Sequence, residues 1–199
     1  MKQLGFLVHV EKCLGCRSCE FSCKNEHGYD DTFRRKIHDV PGVVTAGHSF
    51  HHFSMACNHC QNPACLAVCP ESCIKKKPNG IVLIDQAKCS GCGKCVTACP
   101  FDAIVINPIT AKADKCNMCY ERQMHNKLPI CVSACPVKAL EIIDILDPSN
   151  THYEKAVHGF EMKKVTNPSI RFQTRKEEIQ HFWCCTEGGN HHVGVSGNR

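Results

Sequence analysis

No uninterrupted apolar run in this chain approaches the roughly 18 residues that a membrane-spanning helix needs. Its apolar pieces are short, as at Ile81-Val82-Leu83-Ile84. The chain is therefore expected to be soluble, with any anchor or export signal supplied by a partner. Met1-Lys2-Gln3-Leu4-Gly5-Phe6 likewise lacks the long apolar stretch before a small-residue cleavage site that marks a secreted protein, which speaks against a disulfide scaffold. There is no glycine-rich phosphate loop, no G-x-S-x-G elbow and no acid–base pair around which a substrate pocket would form. The residues give no sign of catalysis by this chain or of a small-molecule substrate of its own. Basic residues are scattered, with runs of three only at Arg34-Arg35-Lys36 and Lys75-Lys76-Lys77, so a formal charge of +5 does not argue for nucleic acid.

What the sequence has in excess is cysteine. Nineteen of its 199 residues are cysteine, a level that means disulfides, zinc or iron-sulfur clusters rather than a plain apolar core. Sixteen of them fall into four groups. The first is Cys13-x2-Cys16-x2-Cys19-x3-Cys23, and the second is Cys57-x2-Cys60-x4-Cys65-x3-Cys69-Pro70. The third is Cys89-x2-Cys92-x2-Cys95-x3-Cys99-Pro100, and the fourth is Cys116-x2-Cys119-x11-Cys131-x3-Cys135-Pro136. The flanks repeat too. Val10-Glu11-Lys12-Cys13, Ile84-Asp85-Gln86-Ala87-Lys88-Cys89 and Ala113-Asp114-Lys115-Cys116 lead into three groups. Cys99-Pro100-Phe101-Asp102-Ala103-Ile104 matches Cys135-Pro136-Val137-Lys138-Ala139-Leu140, and Cys69-Pro70-Glu71-Ser72-Cys73-Ile74 fits the same frame. The repeating unit reads as strand, cluster loop, short helix, strand. Proline after the last cysteine disfavours helix at that cysteine and cannot continue the ladder of the helix before it.

The spacing C-x2-C-x2-C-x3-C-P is the bacterial ferredoxin run, in which three thiolates hold one cubane and the fourth reaches across to another. The third group matches it residue for residue. A structural zinc site would take a Cys-x2-4-Cys pair and a second pair farther away, leaving cysteines unpaired here. Gly15, Gly91 and Gly93 supply room for backbone amides to approach sulfur. Four thiolates on a 2+ core leave about −2 per site, so four such sites would bring the formal charge of +5 to roughly −3. A zinc-bound structural module stays as the alternative from another class. It predicts colourless, air-stable protein, whereas cluster protein is brown and oxygen-sensitive.

The order of the four groups, the x4 and x11 gaps, the stretch Cys57-Asn58-His59-Cys60-Gln61-Asn62-Pro63-Ala64-Cys65 and the phrase Lys127-Leu128-Pro129-Ile130-Cys131 resemble one known family. It is the four-cluster iron-sulfur (electron-transfer, beta) subunit of the dimethyl sulfoxide reductase family of molybdenum and tungsten oxidoreductases. The resemblance implies an α+β fold of two ferredoxin-like modules interleaved in one chain, each with two 4Fe-4S clusters, plus long irregular loops and a C-terminal tail. Residues 1–23 with 110–145 would form the outer module, 52–109 the inner one, 24–51 a connecting segment and 146–199 a partner-docking tail.

The resemblance also implies how the cysteines pair. Cys13, Cys16, Cys19 and Cys135 would hold one cluster, and Cys23, Cys116, Cys119 and Cys131 its neighbour. Cys57, Cys60, Cys65 and Cys99 would hold the third, and Cys89, Cys92, Cys95 and Cys69 the fourth. The implied role is a non-catalytic electron carrier of anaerobic respiration, between a molybdopterin- or tungstopterin-bearing catalytic subunit and a polytopic membrane quinone subunit. Such a protein would sit peripheral to the cytoplasmic membrane of an anaerobic prokaryote. A soluble formate dehydrogenase, hydrogenase or aldehyde oxidoreductase complex is the rival setting.

Other features have plainer readings. Cys73 stands where the other repeats have Ala103 and Ala139, so it is expected to be a small buried residue. Cys184 and Cys185, after Trp183, suit free thiols. His48, His51, His52, His191 and His192 are expected at the surface or at partner contacts. The insert Tyr120 to Ile130 reads equally as a docking loop or a solvated charged loop.

Overall fold

The computed structural model describes residues 2–28, 34–45 and 48–174. Strand β1 (Leu4–His9) is apolar from Leu4 to Val8, as a strand buried on both faces requires, and all but its first residue are buried. It is the centre of a three-stranded sheet. On one side it pairs antiparallel with β8 (Leu140–Asp144), from Leu4 opposite Asp144 to Val8 opposite Leu140. On the other it pairs parallel with β9 (Arg171–Gln173). Between β1 and β8 the chain passes through α1 (Ser18–His27), the hairpin β2 (Arg35–Thr45) and β3 (His48–Ala56), and α2 (Ala64–Ala67). It continues through β4 (Ile74–Lys76), β5 (Val82–Ile84), α3 (Lys94–Ala98), β6 (Ile104–Ile106), β7 (Ala113–Lys115), α4 (Tyr120–Met124) and α5 (Ile130–Ser133). β4 pairs with β5 and β6 with β7, both antiparallel. The result is a mixed fold of short helices and small sheets.

Two cores of different character hold it together. The larger is aliphatic and aromatic: Phe6, Val8, Ile37, Phe53, Ile170 and Phe172 are all buried in it. The Phe53 and Phe172 rings meet edge-on at 5.8 Å, and Phe160 lies 5.2 Å from Phe172, separations at which aromatic pairs stabilise beyond their burial. The smaller core gathers Ile74, Val82, Ile104 and Ala113 around Cys65, Cys73 and Cys95.

Two segments without the cysteine repeat are structured. Residues 35–45 and 48–56 form the paired strands β2 and β3, from Arg35 opposite Ala56 to Pro41 opposite Phe50, and β3 delivers the chain directly to Cys57. The start of the C-terminal segment returns to the core, where Ile170 and Phe172 are buried. Its backbone braces the second cysteine group: Gln61 N–H donates to the Asn167 carbonyl at 2.9 Å, Asn62 N–H to that of Thr166 at 3.0 Å, and Ser169 N–H to that of Asn58 at 3.0 Å. Cys184, Cys185, His191 and His192 lie outside the described residues, as does the side chain of His48.

Candidate functional site

In every group the last two cysteines stand four apart, which places them one helical turn from each other. Helix α1 carries Cys19 and Cys23; α2, α3 and α5 carry Cys65, Cys95 and Cys131, with Cys69, Cys99 and Cys135 just beyond their ends. α1 packs against α5, and α2 against α3. Each pairing aims the last cysteine of one group at the first three of another.

Four thiol quartets result. Cys13, Cys16, Cys19 and Cys135 line one cavity, and Cys57, Cys60, Cys65 and Cys99 line another. Cys23 lies within electrostatic reach of Cys116, Cys131 and Cys119, and Cys95 within reach of Cys89, Cys69 and Cys92. The quartets are also in series. Cys131 reaches Cys19, Cys116 reaches Cys57, and Cys65 shares the smaller core with Cys95. Cys16, in the first quartet of that series, and Cys92, in the last, are exposed.

The loops point backbone amides at sulfur. Left-handed residues recur in them, at Gly15 and Arg17, Gly91 and Gly93, and Met118 and Cys119, a conformation that turns successive N–H groups inward. Met118 N–H donates to Cys116 Sγ at 3.3 Å. A second device follows each Cys-Pro. Ser72, Asp102 and Lys138 are all left-handed, and their N–H groups close tight turns onto the carbonyls of Cys69, Cys99 and Cys135. That turn brings the next amide to sulfur, as when Ala139 N–H donates to Cys135 Sγ at 3.1 Å. Hydroxyls add to it: Ser54 Oγ is 3.2 Å from Cys19 Sγ, and Ser18 Oγ is 3.4 Å from Cys16 Sγ.

Burial pushes the Cys13 thiol up to about 11 and those of Cys60, Cys65 and Cys131 up to about 12. Without an electron-poor metal these groups stay protonated at neutral pH. Cys16, at the surface, is lowered instead by its hydrogen bonds to Ser18. Among the described residues no three His, Cys, Asp or Glu side chains close to the geometry of a single ion. The two cavities are instead each lined by four thiols. Four thiols facing one another, with amides directed at sulfur, are the donor set of an iron-sulfur cubane.

Known proteins share this pattern. Residues 48–145 match the 4Fe-4S dicluster domain. Over 181 residues the sequence is 34% identical to one subunit of the anaerobic dimethyl sulfoxide reductase of Escherichia coli (strain K12), covering 84% of this protein and 87% of that subunit. It is 38% identical over 179 residues to the thiosulfate reductase electron transfer subunit of Salmonella typhi, covering 87% of this protein and 93% of the relative. This protein belongs to the iron-sulfur electron-transfer subunits of the dimethyl sulfoxide reductase family. A further relative is a subunit of the polysulfide reductase of Wolinella succinogenes, 32% identical over 153 residues, or 75% of this protein and 80% of that subunit. As a member of that family the protein carries four 4Fe-4S clusters and is the non-catalytic electron-transfer subunit of a reductase complex. No helix among the described residues is long and apolar enough to cross a membrane.

Several residues that serve this family site are not visible in the cysteine pattern. Thr166, from the C-terminal segment, hydrogen-bonds the Cys60 thiol. Ser54 and the three left-handed turn residues carry no motif, although aligning the repeats would have put Ser72, Asp102 and Lys138 in one column. Cys73 is buried, as its alignment with alanines predicts, but its Sγ lies 3.3 Å from Cys69 Sγ. His51 is buried against Phe53 and His158 rather than exposed, and His52 bonds Asp39 at 2.8 Å. The insert after Cys119 is partly helical and tied to α1 by Arg122 and Glu26 at 3.1 Å.

Gly91 offers a direct test of the loop geometry. A Cβ there would meet the Ala111 carbonyl oxygen at 2.1 Å, and the residue's φ of +74° disfavours any side chain. Gly91→Ala is expected to lose about four irons per chain, one cubane's worth, on anaerobic iron analysis. An unchanged iron count would refute this role.

Proposed function

We propose that the sixteen cysteines hold the clusters as four ligand sets: Cys13, Cys16, Cys19 and Cys135; Cys23, Cys116, Cys119 and Cys131; Cys57, Cys60, Cys65 and Cys99; and Cys89, Cys92, Cys95 and Cys69. The observation that carries this reading is the serial arrangement of the thiol quartets, from exposed Cys16 through Cys131, Cys116 and Cys57 to exposed Cys92. The protein supplies ligands, order and a low-dielectric surround, and the clusters supply one-electron chemistry.

In this reading the sets form two interleaved ferredoxin-like modules, outer (1–23 with 110–145) and inner (52–109). Residues 24–51 connect them, and the parts of 146–199 outside the core-packed stretch that ends in β9 face a partner. The α1–α5 and α2–α3 pairings support the division, because each joins two groups whose last cysteines cross over. The pairing of β6 with β7 ties the two modules together across residue 110. The partners are a molybdopterin- or tungstopterin-bearing catalytic subunit and a membrane quinone subunit that anchors the complex at the cytoplasmic membrane of an anaerobic prokaryote. The names of the dimethyl sulfoxide, thiosulfate and polysulfide reductase relatives support a respiratory reductase over a soluble dehydrogenase or hydrogenase.

The test is elemental analysis of native protein purified without oxygen, with whatever copurifies. About 16 irons per chain, with molybdenum or tungsten in a larger partner, is the expected result. Zinc at about one per four cysteines and no iron would sink the reading.

A further inference from the structure

Arg35 opens β2 and is 1% exposed, the largest side chain fully buried among the described residues. A buried guanidinium normally lies against a carboxylate, because an unpaired buried charge is strongly destabilising. Its sequence neighbour follows that rule: Arg34 pairs with Asp114 at 2.6 Å. Among the described residues Arg35 has no such partner. Its Nη1 donates to Ser54 Oγ at 3.0 Å, and its guanidinium lies 4.1 Å from the Phe6 ring centre. Nε and Nη2 are buried with no hydrogen-bond partner among the described residues.

The groups around this cation are thiols from two quartets. Cys131, Cys116, Cys19 and Cys23 lie within its electrostatic reach, and the same Ser54 hydroxyl that accepts from Arg35 is 3.2 Å from Cys19 Sγ. Burial disfavours the Arg35 charge, and these cysteines are the anionic groups placed to offset it once they bind metal. Lys115 is the contrasting case. It too is buried near cysteines, but its ammonium donates to the carbonyls of Val82 and Cys116.

We propose that Arg35 is a shared counter-charge for the two outer ligand sets, Cys13/Cys16/Cys19/Cys135 and Cys23/Cys116/Cys119/Cys131, and raises the reduction potentials of both. Each four-thiolate site on a 2+ core carries about −2, and accepting one electron adds a further negative charge. A fixed buried cation beside both sites favours the reduced form of each, and its spare Nε and Nη2 donors are available to sulfur. A role confined to holding the hairpin would use Nη1 and the Phe6 contact and leave the potentials alone. The proposal rests on the ligand sets above, and the iron count tests those separately from the charge.

The experiment is a dithionite titration of the anaerobically purified complex, followed by electron paramagnetic resonance, for the parent, Arg35→Gln and Arg35→Lys. In Arg35→Gln with about 16 irons retained, two of the four midpoint potentials should fall by at least about 59 mV. That shift is tenfold in each one-electron equilibrium, and the other two potentials should stay in place. Arg35→Lys, which keeps the charge, should shift them less than half as far. Four unmoved potentials in Arg35→Gln, or four moved equally, would overturn the proposal. If Arg35→Gln loses iron, Arg35→Lys decides. Full iron with near-parent potentials supports the counter-charge, and the same iron loss shows that shape rather than charge matters. A parent below about 16 irons would fail the ligand sets instead.

Discussion

Removing two thiols from an interior site, as Cys57→Ala with Cys60→Ala, should drop reductase turnover of the assembled complex at least about a hundredfold, or about 2.7 kcal/mol on the barrier. The order of the sites sets this effect. Cys116 reaches Cys57, and Cys65 shares a core with Cys95, so the Cys57 quartet stands between the Cys116 and Cys95 quartets. Loss of an end site would leave a shortened path that a partner can still approach, whereas loss of an interior site opens a gap inside the protein. The double variant should keep about 12 irons, showing that the other three sites assemble. Cys73→Ala is the matched control. It removes a buried thiol 3.3 Å from Cys69 but no proposed ligand, so about 16 irons and parent turnover are expected. Turnover within about twofold of the parent in a double variant confirmed at about 12 irons would break the serial path.

The part of the molecule legible in the sequence is the part that cysteine spacing dictates. A three-residue gap puts two thiols a helical turn apart, and Pro70, Pro100 and Pro136 stop the helices, so short helices and cluster loops follow from the residues alone. Which group faces which came from the family resemblance, and the thiols stand as neighbours in that pattern. The β2–β3 hairpin was not legible because Phe53 to Ala56 are buried on every side chain, which removes the alternation by which a strand is read. β9 is three residues long and gains its place from β1, not from its own pattern. The turn residues Ser72, Asp102 and Lys138 were missed because none is glycine, although all three are left-handed. Arg35 was invisible within the run Arg34-Arg35-Lys36, since composition cannot separate a buried charge from a solvated one.

Iron removal should dismantle the two cores unequally. The smaller core has cysteine for three of its seven buried members, and Cys69, Cys89 and Cys99 pack around it. Take the metal away and little apolar surface remains to offset the ordering of the loops between residues 57 and 112. The larger core keeps Phe6, Phe53, Phe160 and Phe172, whose packing needs no metal. Hydrogen exchange during anaerobic chelation should therefore show β4 to β7 losing protection first, while β1 and β8 hold longer; simultaneous loss in both regions would contradict this. The metal-free chain should also weaken as pH rises. The buried thiols of the larger core favour the neutral form, so the stability they hold below the ordinary thiol value of 9.0 is lost as pH climbs towards about 11 at Cys13 and about 12 at Cys131. The iron-loaded protein, whose thiolates are already deprotonated on metal, should show no such alkaline loss over the same window.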